Sequence, residues 1–272
     1  MPFSPVFHLL SREGYITQSC IGTGLTEARN ANLTDRGRYY TAFFQLSIGL
    51  ERMAKLALVL DHMVSQQLAP PGGTAIRKYG HDLESLYRAA NEAAQNRGWN
   101  LSAETPTSPF TERILSFLSR FAKTTRYANL DALASGTAVS EPLEEWNQIL
   151  QDVLLTDSPS RKRERIAQDS AALGNLLKDA TFVRAHDLAS RSMTLEDWFA
   201  QPQLLDEAAK YVVWHLVLIT VPLKEIVVYL SHLAADINRK QTRSIVHIPS
   251  MSEFYTFLWV NRGYVLRKKR WP

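Results

Sequence analysis

The seven histidines are the side chains best suited to acid–base or metal chemistry, and they stand singly along the chain. No two lie four residues apart, the spacing that places two ligands on one face of a helix, so no metal ion is expected. Cys20 is the only cysteine, which excludes a disulfide framework and favours a reducing compartment. Walker, GxGxxG, HExxH and GxSxG motifs are absent, and no cofactor is predicted.

Two basic clusters are the other candidates for chemistry. The first precedes Trp271 and consists of Arg267, Lys268, Lys269 and Arg270. Cations beside an aromatic ring suit single-stranded nucleic acid, because the cations contact phosphates and the ring stacks on a base; a solvated tail explains the same residues. The second cluster, residues 161–165, is typical of a solvated helix face. The net charge of +4 is small, so RNA binding is favoured only if both clusters lie on one side.

The elements that must position these residues are helices. Residues 1–34 lack helical periodicity and contain several glycines and asparagines, which predicts a loop or small hairpin arm. From Thr34 or Asp35, either of which can cap a helix, apolar residues recur every three to four positions as far as Val64. This pattern predicts a long amphipathic helix, which the Pro-Pro-Gly-Gly run at 70–73 must end.

Further helices follow the first one. They are predicted at residues 81–97, 110–123, 141–155, 161–179, 194–200, 203–238 and 252–260. Pro159 and Pro202 separate neighbouring helices, because proline suits the first turn of a helix better than its interior. Residues 245–248 are the one short strand candidate, so the predicted fold class is all-α.

The most apolar stretch, residues 211–230, is long enough to span a bilayer. It carries Lys224 and Glu225, and a charged pair inside a span costs several kcal/mol, so a buried core helix is the better interpretation. The first residues have no basic region ahead of an apolar run, unlike a secretory signal. The sequence therefore predicts a cytoplasmic protein with no membrane partner.

Three short runs resemble the motifs of one family. Residues 47–52 lie within the long first helix, residues 78–83 open the second with His-Asp-Leu, and Arg126 and Tyr127 follow the third. In this order and spacing they are similar to the HEPN superfamily of up-and-down helical bundles. The resemblance covers mainly residues 35–135.

The resemblance implies an organisation and a function. Residues 35–135 would be the helical core, 136–200 a helical insertion, and 201–272 a long helix and a C-terminal helix that complete the bundle. HEPN proteins commonly dimerise and often act in toxin–antitoxin, abortive-infection and antiphage systems, which implies a homo-oligomer. Active members are metal-independent ribonucleases in which an arginine precedes a histidine with four to six residues between, near the start of a late helix.

This chain departs from that catalytic spacing. The nearest pairs are Arg77 with His81 and Arg243 with His247, each with three residues between. The position of the family's pair favours Arg243 and His247 as the catalytic residues; a loop arginine and an ordinary histidine are the alternative. His81 occupies the helix-start position and is predicted to cap and pack, with Glu84 completing a capping box.

Glu51 in the first helix has two interpretations. It could pair with Lys55 one turn further on, a surface contact worth a few tenths of a kcal/mol, or it could be buried and hold an arginine such as Arg126.

Two functions follow from the sequence. The basic clusters favour an RNA-directed effector, with ribonuclease activity, in prokaryotic defence or a toxin–antitoxin system. The missing catalytic spacing favours a non-catalytic helical module that binds a protein partner in a defence complex.

Overall fold

The computed structural model describes residues 2–74, 76–100, 108–136, 141–241 and 245–272. Its α-helices are α1 Pro5–Asn30, α2 Gly37–Ser65, α3 Leu83–Gln95, α4 Thr111–Lys123, α5 Ala128–Ser135, α6 Pro142–Asp157, α7 Ser160–Leu177, α8 Leu195–Gln241 and α9 Arg262–Arg267. Short 3₁₀ turns occur at Arg77–Tyr79, Thr125–Tyr127 and Met251–Tyr255. Within the described ranges β-structure is limited to isolated bridges, so the predicted all-α class is confirmed.

The core is built around α2 and α8, which pack against each other and against α1, α3 and α4. At the end where α2 meets α4 and α6, the ring of Phe43 lies 4.8 Å from Phe117, 5.3 Å from Phe121 and 4.9 Å from Trp146, measured between centroids. Burying an aromatic or aliphatic side chain of this size stabilises the fold by roughly 1.5–3 kcal/mol. The apolar spacing that predicted α2, α3 and α4 corresponds to side chains buried in the core.

The first 34 residues are not the loop or hairpin that the sequence predicts. They form α1, whose start is capped by Ser4: its Oγ accepts from the N–H of Phe7 at 3.1 Å. The glycines that suggested turns serve helix packing instead. A Cβ built on Gly24 would lie 2.7 Å from Cγ of Leu46, so a glycine there lets α1 approach α2 closely.

The break predicted at Pro202 is also wrong, because α8 runs without interruption from Leu195 to Gln241 through Pro202 and Pro222. Each proline removes one backbone donor, but the helix buries an almost continuous apolar run from Tyr211 to Leu223, which outweighs that loss. Of the helices that the structure describes, α8 alone has the length and apolar composition of a membrane span. Its most apolar window is 83% buried inside the bundle, as a core helix requires.

The last segments differ from prediction as well. In place of a helix at 252–260, a 3₁₀ turn at Met251–Tyr255 leads to the separate short helix α9. The strand candidate forms a single parallel bridge between Val246 and Phe3, in which the N–H of Ser4 donates to the carbonyl of Val246 at 3.0 Å. This bridge ties the residues after α8 to the beginning of α1.

Candidate functional site

The three runs that carry the family resemblance meet at one cleft of about 250 Å³. Glu51 and Arg52 come from α2, His81 from the turn before α3, and Arg126 from the turn after α4. The rest of the wall consists of Ser47 and apolar side chains, including Phe44. Residues distant in sequence thus bring a carboxylate, an imidazole and two guanidinium groups to one surface.

Glu51 is the organising residue of the cleft. Its side chain is 15% exposed, and Oε1 accepts from Nζ of Lys55 at 2.7 Å while Oε2 lies 3.0 Å from Nδ1 of His81. Lys55 also donates to the carbonyl of Gly80 at 2.8 Å, which fixes the turn that carries His81. The predicted pair with Lys55 is confirmed, and the second partner of the carboxylate is His81 rather than Arg126.

His81 does not cap α3 as predicted. That role belongs to Asp82, whose Oδ1 accepts from the N–H of Ser85 at 3.1 Å. This backbone hydrogen bond, aided by Lys123, lowers the pKa of Asp82. Glu84 makes no hydrogen bond back to the cap among the described contacts, so the predicted capping box is absent there. His81 is therefore free for another role.

The His81 ring is 57% exposed and lines the cleft. A carboxylate beside Nδ1 favours the tautomer in which Nδ1 carries the proton and donates it to Glu51. Nε2 is then the nitrogen available to accept a proton from a bound molecule. This is the arrangement of an oriented general base.

Two arginines can supply positive charge to the cleft. Arg52 pairs with Glu13 of α1 at 2.7 Å, and both side chains are partly exposed. The exposed Arg126 guanidinium lies 5.0 Å from the ring centroid of Tyr127, and in the described part of the chain no carboxylate lies within ion-pair distance of it. Arg126 is thus the cation best placed to bind an anion. Sequence reasoning missed Glu13 because it treated the first residues as a loop.

Of the predicted catalytic pair, the structure describes only His247, which does not line this cleft. Arg243 falls outside the described residues, and His247 is half-buried, with its main-chain N–H donating to Oδ1 of Asn238 at 2.6 Å. Its neighbour Val246 pairs with residues just before α1. Glu13, the partner of Arg52, lies eight residues after the first residue of α1, roughly 12 Å along the helix. His247 is not among the residues that line the cleft of His81, and its catalytic role stays a prediction.

The residues that carry and follow the C-terminal basic cluster are docked on α1 through Lys269 and Trp271. Trp271 is only 8% exposed, and its main-chain N–H donates to Oγ1 of Thr26 at 2.8 Å. Nδ2 of Asn30 donates to the carbonyl of Lys269 at 2.7 Å. The buried indole cannot stack on a base as the sequence suggested. Lys268 lies over the ring of Tyr264, 4.7 Å from its centroid.

Three cations of this cluster remain at the surface: Arg267, Lys269 and Arg270 are exposed and can still contact phosphate. Their role in binding nucleic acid stays a prediction.

The second basic cluster is partly structural. Arg163 donates to the carbonyls of Leu154 and Leu155 at 3.2 and 3.3 Å, which satisfies the last turn of α6. Helix α7, which carries the second cluster, and helix α9, which leads to the C-terminal cluster, nevertheless begin close together. Nη2 of Arg262, the first residue of α9, lies 3.7 Å from Oδ1 of Asp157, three residues before α7 starts.

Comparison of the chain with protein-family models, with curated proteins and with solved structures finds no match. Membership of the HEPN superfamily therefore stays a prediction from the motifs.

In the described residues no group of three or more His, Cys, Asp or Glu side chains is placed to hold a metal ion.

Proposed function

We propose that the protein is an RNA-directed effector of HEPN-like type that cleaves RNA without a metal ion, at the cleft formed by Glu51, His81 and Arg126. The observation that carries the proposal is the 3.0 Å contact between Glu51 and His81 in the same cleft as an exposed arginine. The defence or toxin–antitoxin setting comes from the motif resemblance. The notable change from the sequence prediction is that His81 replaces His247 as the reacting histidine.

The chemistry requires a base for the attacking hydroxyl and positive charge at the phosphate. Nε2 of His81 takes the proton of the ribose 2′-hydroxyl, the 2′-oxygen bonds to phosphorus, and the bond to the 5′-oxygen breaks. The leaving 5′-oxygen takes a proton from solvent, which gives a 2′,3′-cyclic phosphate and a 5′-hydroxyl end. Glu51 stabilises the imidazolium that forms, and Arg126 offsets the charge that builds up on the phosphate oxygens.

The test is cleavage of total RNA and tRNA by the purified chain with chelator present. His81→Ala should lower the cleavage rate at least ~100-fold, the typical contribution of a positioned proton-transfer group. Arg126→Ala should also lower it, whereas His232→Ala, which removes an exposed histidine of α8, should leave it unchanged.

Variants of Arg243 and His247 distinguish an active site at that pair from one at the cleft of His81. Loss of cleavage in Arg243→Ala and His247→Ala, with full activity in His81→Ala, would move the active site to that pair. Absence of both cleavage and RNA retention at low salt would leave the protein-binding function.

The non-catalytic function has one observation of its own. Short helix α5 packs mainly against the neighbouring 3₁₀ turn, and it exposes Leu130 and 83% of Leu133, with Tyr127 exposed beside them. Apolar side chains grouped on a surface are typical of protein-binding sites. A protein partner or a second copy of this chain would therefore contact α5, and light scattering of Leu133→Glu against the parent chain tests the second of these.

A further inference from the structure

Three polar side chains from separate elements form a second hydrogen-bonded group, away from the cleft. Ser108 precedes α4, Asp157 ends α6 and His215 lies within α8. Oγ of Ser108 is 2.7 Å from Nδ1 of His215, and Nε2 of the same ring is 2.7 Å from Oδ2 of Asp157. Serine, imidazole and carboxylate are thus joined in that order by two short contacts.

The proton positions follow from the chemistry of the partners. A carboxylate only accepts, so Nε2 of His215 carries a proton and donates it to Asp157. A neutral ring then has its lone pair at Nδ1, where it accepts from the hydroxyl of Ser108. His215 is 3% exposed, and burial lowers its pKa even though Asp157 acts in the opposite direction, so the ring is neutral at neutral pH.

The histidine at the centre of the group is the most buried of the three side chains, and Ser108 and Asp157 at either end are partly exposed. The histidine is enclosed and the ring of Phe110 lies 4.9 Å from it, whereas Ser108 is only half-buried. Only the nucleophile has to touch a substrate, because the other two act through it. The N–H of Phe110 donates to Oγ of Ser108 at 3.1 Å, which leaves the hydroxyl proton for Nδ1 of His215.

The carboxylate end is also held in place. Nη2 of Arg262 lies 3.7 Å from Oδ1 of Asp157, on the oxygen that does not bind the histidine. The guanidinium of Arg262 in turn lies over the ring of Tyr211, 5.4 Å from its centroid. The orientation of Asp157 toward His215 is therefore supported from a third element, α9.

We propose that Ser108, His215 and Asp157 are a nucleophile, base and orienting carboxylate that transfer an acyl group from a small activated ester to Ser108 and then to water. The proton of Oγ moves to Nδ1 of His215 as Oγ bonds to the carbonyl carbon. The bond to the leaving alkoxide breaks and the alkoxide takes that proton. Water, deprotonated by the same nitrogen, attacks the acyl-serine, which releases a carboxylic acid and restores the hydroxyl.

A fluorophosphonate probe tests the nucleophile directly, since it phosphonylates activated serines. Incubation of the full chain with the probe at neutral pH, followed by peptide mass spectrometry, should place one label on Ser108. Ser108→Ala should abolish it, and the nearly isosteric Asp157→Asn should slow labelling at least ~100-fold by removing the group that orients the base.

The matched control is Ser158→Ala. Ser158 lies beside Asp157, but its Oγ donates to Glu207 at 3.0 Å and contacts no histidine, so labelling should not change. No labelling of the folded parent chain, or labelling that survives Ser108→Ala, would overturn the proposal and leave the three side chains a structural network. Thermal unfolding shows that each variant is folded. RNA cleavage by Ser108→Ala should equal that of the parent, so this proposal and the ribonuclease proposal fail independently.

Discussion

At the scale of single residues, the candidate cleft depends on Glu51, whose carboxylate contacts two side chains. Glu51 holds Lys55 and His81 at once, and Lys55 holds the carbonyl of Gly80, so the residues before α3 are fixed from α2. Local sequence spacing could predict the first contact, which is one helical turn long. The second joins residues thirty positions apart, and no local pattern predicts it.

Replacing Glu51 should affect RNA cleavage much more than it affects the stability of the fold. In Glu51→Gln the amide no longer stabilises the imidazolium of His81, so RNA cleavage should fall by about 10- to 100-fold. Partly exposed ion pairs contribute about 0.2–1 kcal/mol, so the free energy of unfolding should change little. Single-turnover cleavage and denaturant unfolding measure the two effects. Unchanged cleavage would show that His81 does not act through this carboxylate.

The buried His215 makes stability depend on pH. Its folded-state pKa lies below the ordinary value of 6.5, because burial outweighs the contact with Asp157, and Arg262 acts in the same direction as burial. The unfolded chain therefore binds more protons as pH falls below about 6.5, and the free energy of unfolding decreases.

In His215→Gln that contribution disappears, so the loss of stability between pH 7 and pH 5 should be smaller than in the parent. Urea unfolding at several pH values measures it, with His232→Ala as the control for an exposed histidine of the same helix. Parallel pH profiles for His215→Gln and the parent would contradict the assignment.

At the scale of elements, the sequence predicts a helix well where one face is regularly apolar and poorly where packing overrides local preference. The periodicity that begins near Asp35 gives α2 to within a few residues of its observed bounds. Glycines led to the wrong prediction for α1, and Pro202 led to a wrongly predicted break inside α8, because local rules do not include the burial that tertiary contacts supply.

For the same reason, the group of Ser108, Asp157 and His215 was not predicted from the sequence, since only the packing of α4, α6 and α8 brings these side chains together.

The close approach of α1 and α2 should be sensitive to one methyl group. In Gly24→Ala the new Cβ would lie 2.7 Å from Cγ of Leu46 and 3.0 Å from its backbone nitrogen, and the backbone cannot rotate away. Overpacking of this kind costs about 1–3 kcal/mol, whereas Gly73→Ala meets nothing within 4 Å and should change stability little. Chemical denaturation of both variants measures the difference. Equal stability would mean that α1 can shift on α2 at little cost.

At the scale of the whole molecule, the all-α class could be predicted because helical periodicity recurs along most of the chain. The position of the basic clusters could not, since it depends on where α9 docks. The structure brings the beginnings of α7 and α9 to Asp157, and it fixes the residues after α9 on α1 through Thr26 and Asn30. The cations after α9 are therefore presented by the folded bundle rather than by a loose tail.

That placement predicts how RNA binding responds to salt. Each phosphate of a single strand that the protein neutralises contributes about 0.7 to the slope of log affinity against log salt. Lys269→Ala with Arg270→Ala should therefore lower the slope by roughly 1.4 and weaken binding at low salt. The matched control is Lys178→Ala with Arg184→Ala, which removes the same charge from exposed positions after α7.

Fluorescence anisotropy of a labelled single strand from 50 to 200 mM salt would give the slopes. If the two double variants reduce affinity equally, the effect comes from net charge alone and the cluster after α9 makes no phosphate contact. A reduction confined to Lys269→Ala with Arg270→Ala places the RNA backbone on this corner of the bundle, because only contacting cations release the counterions that determine the slope.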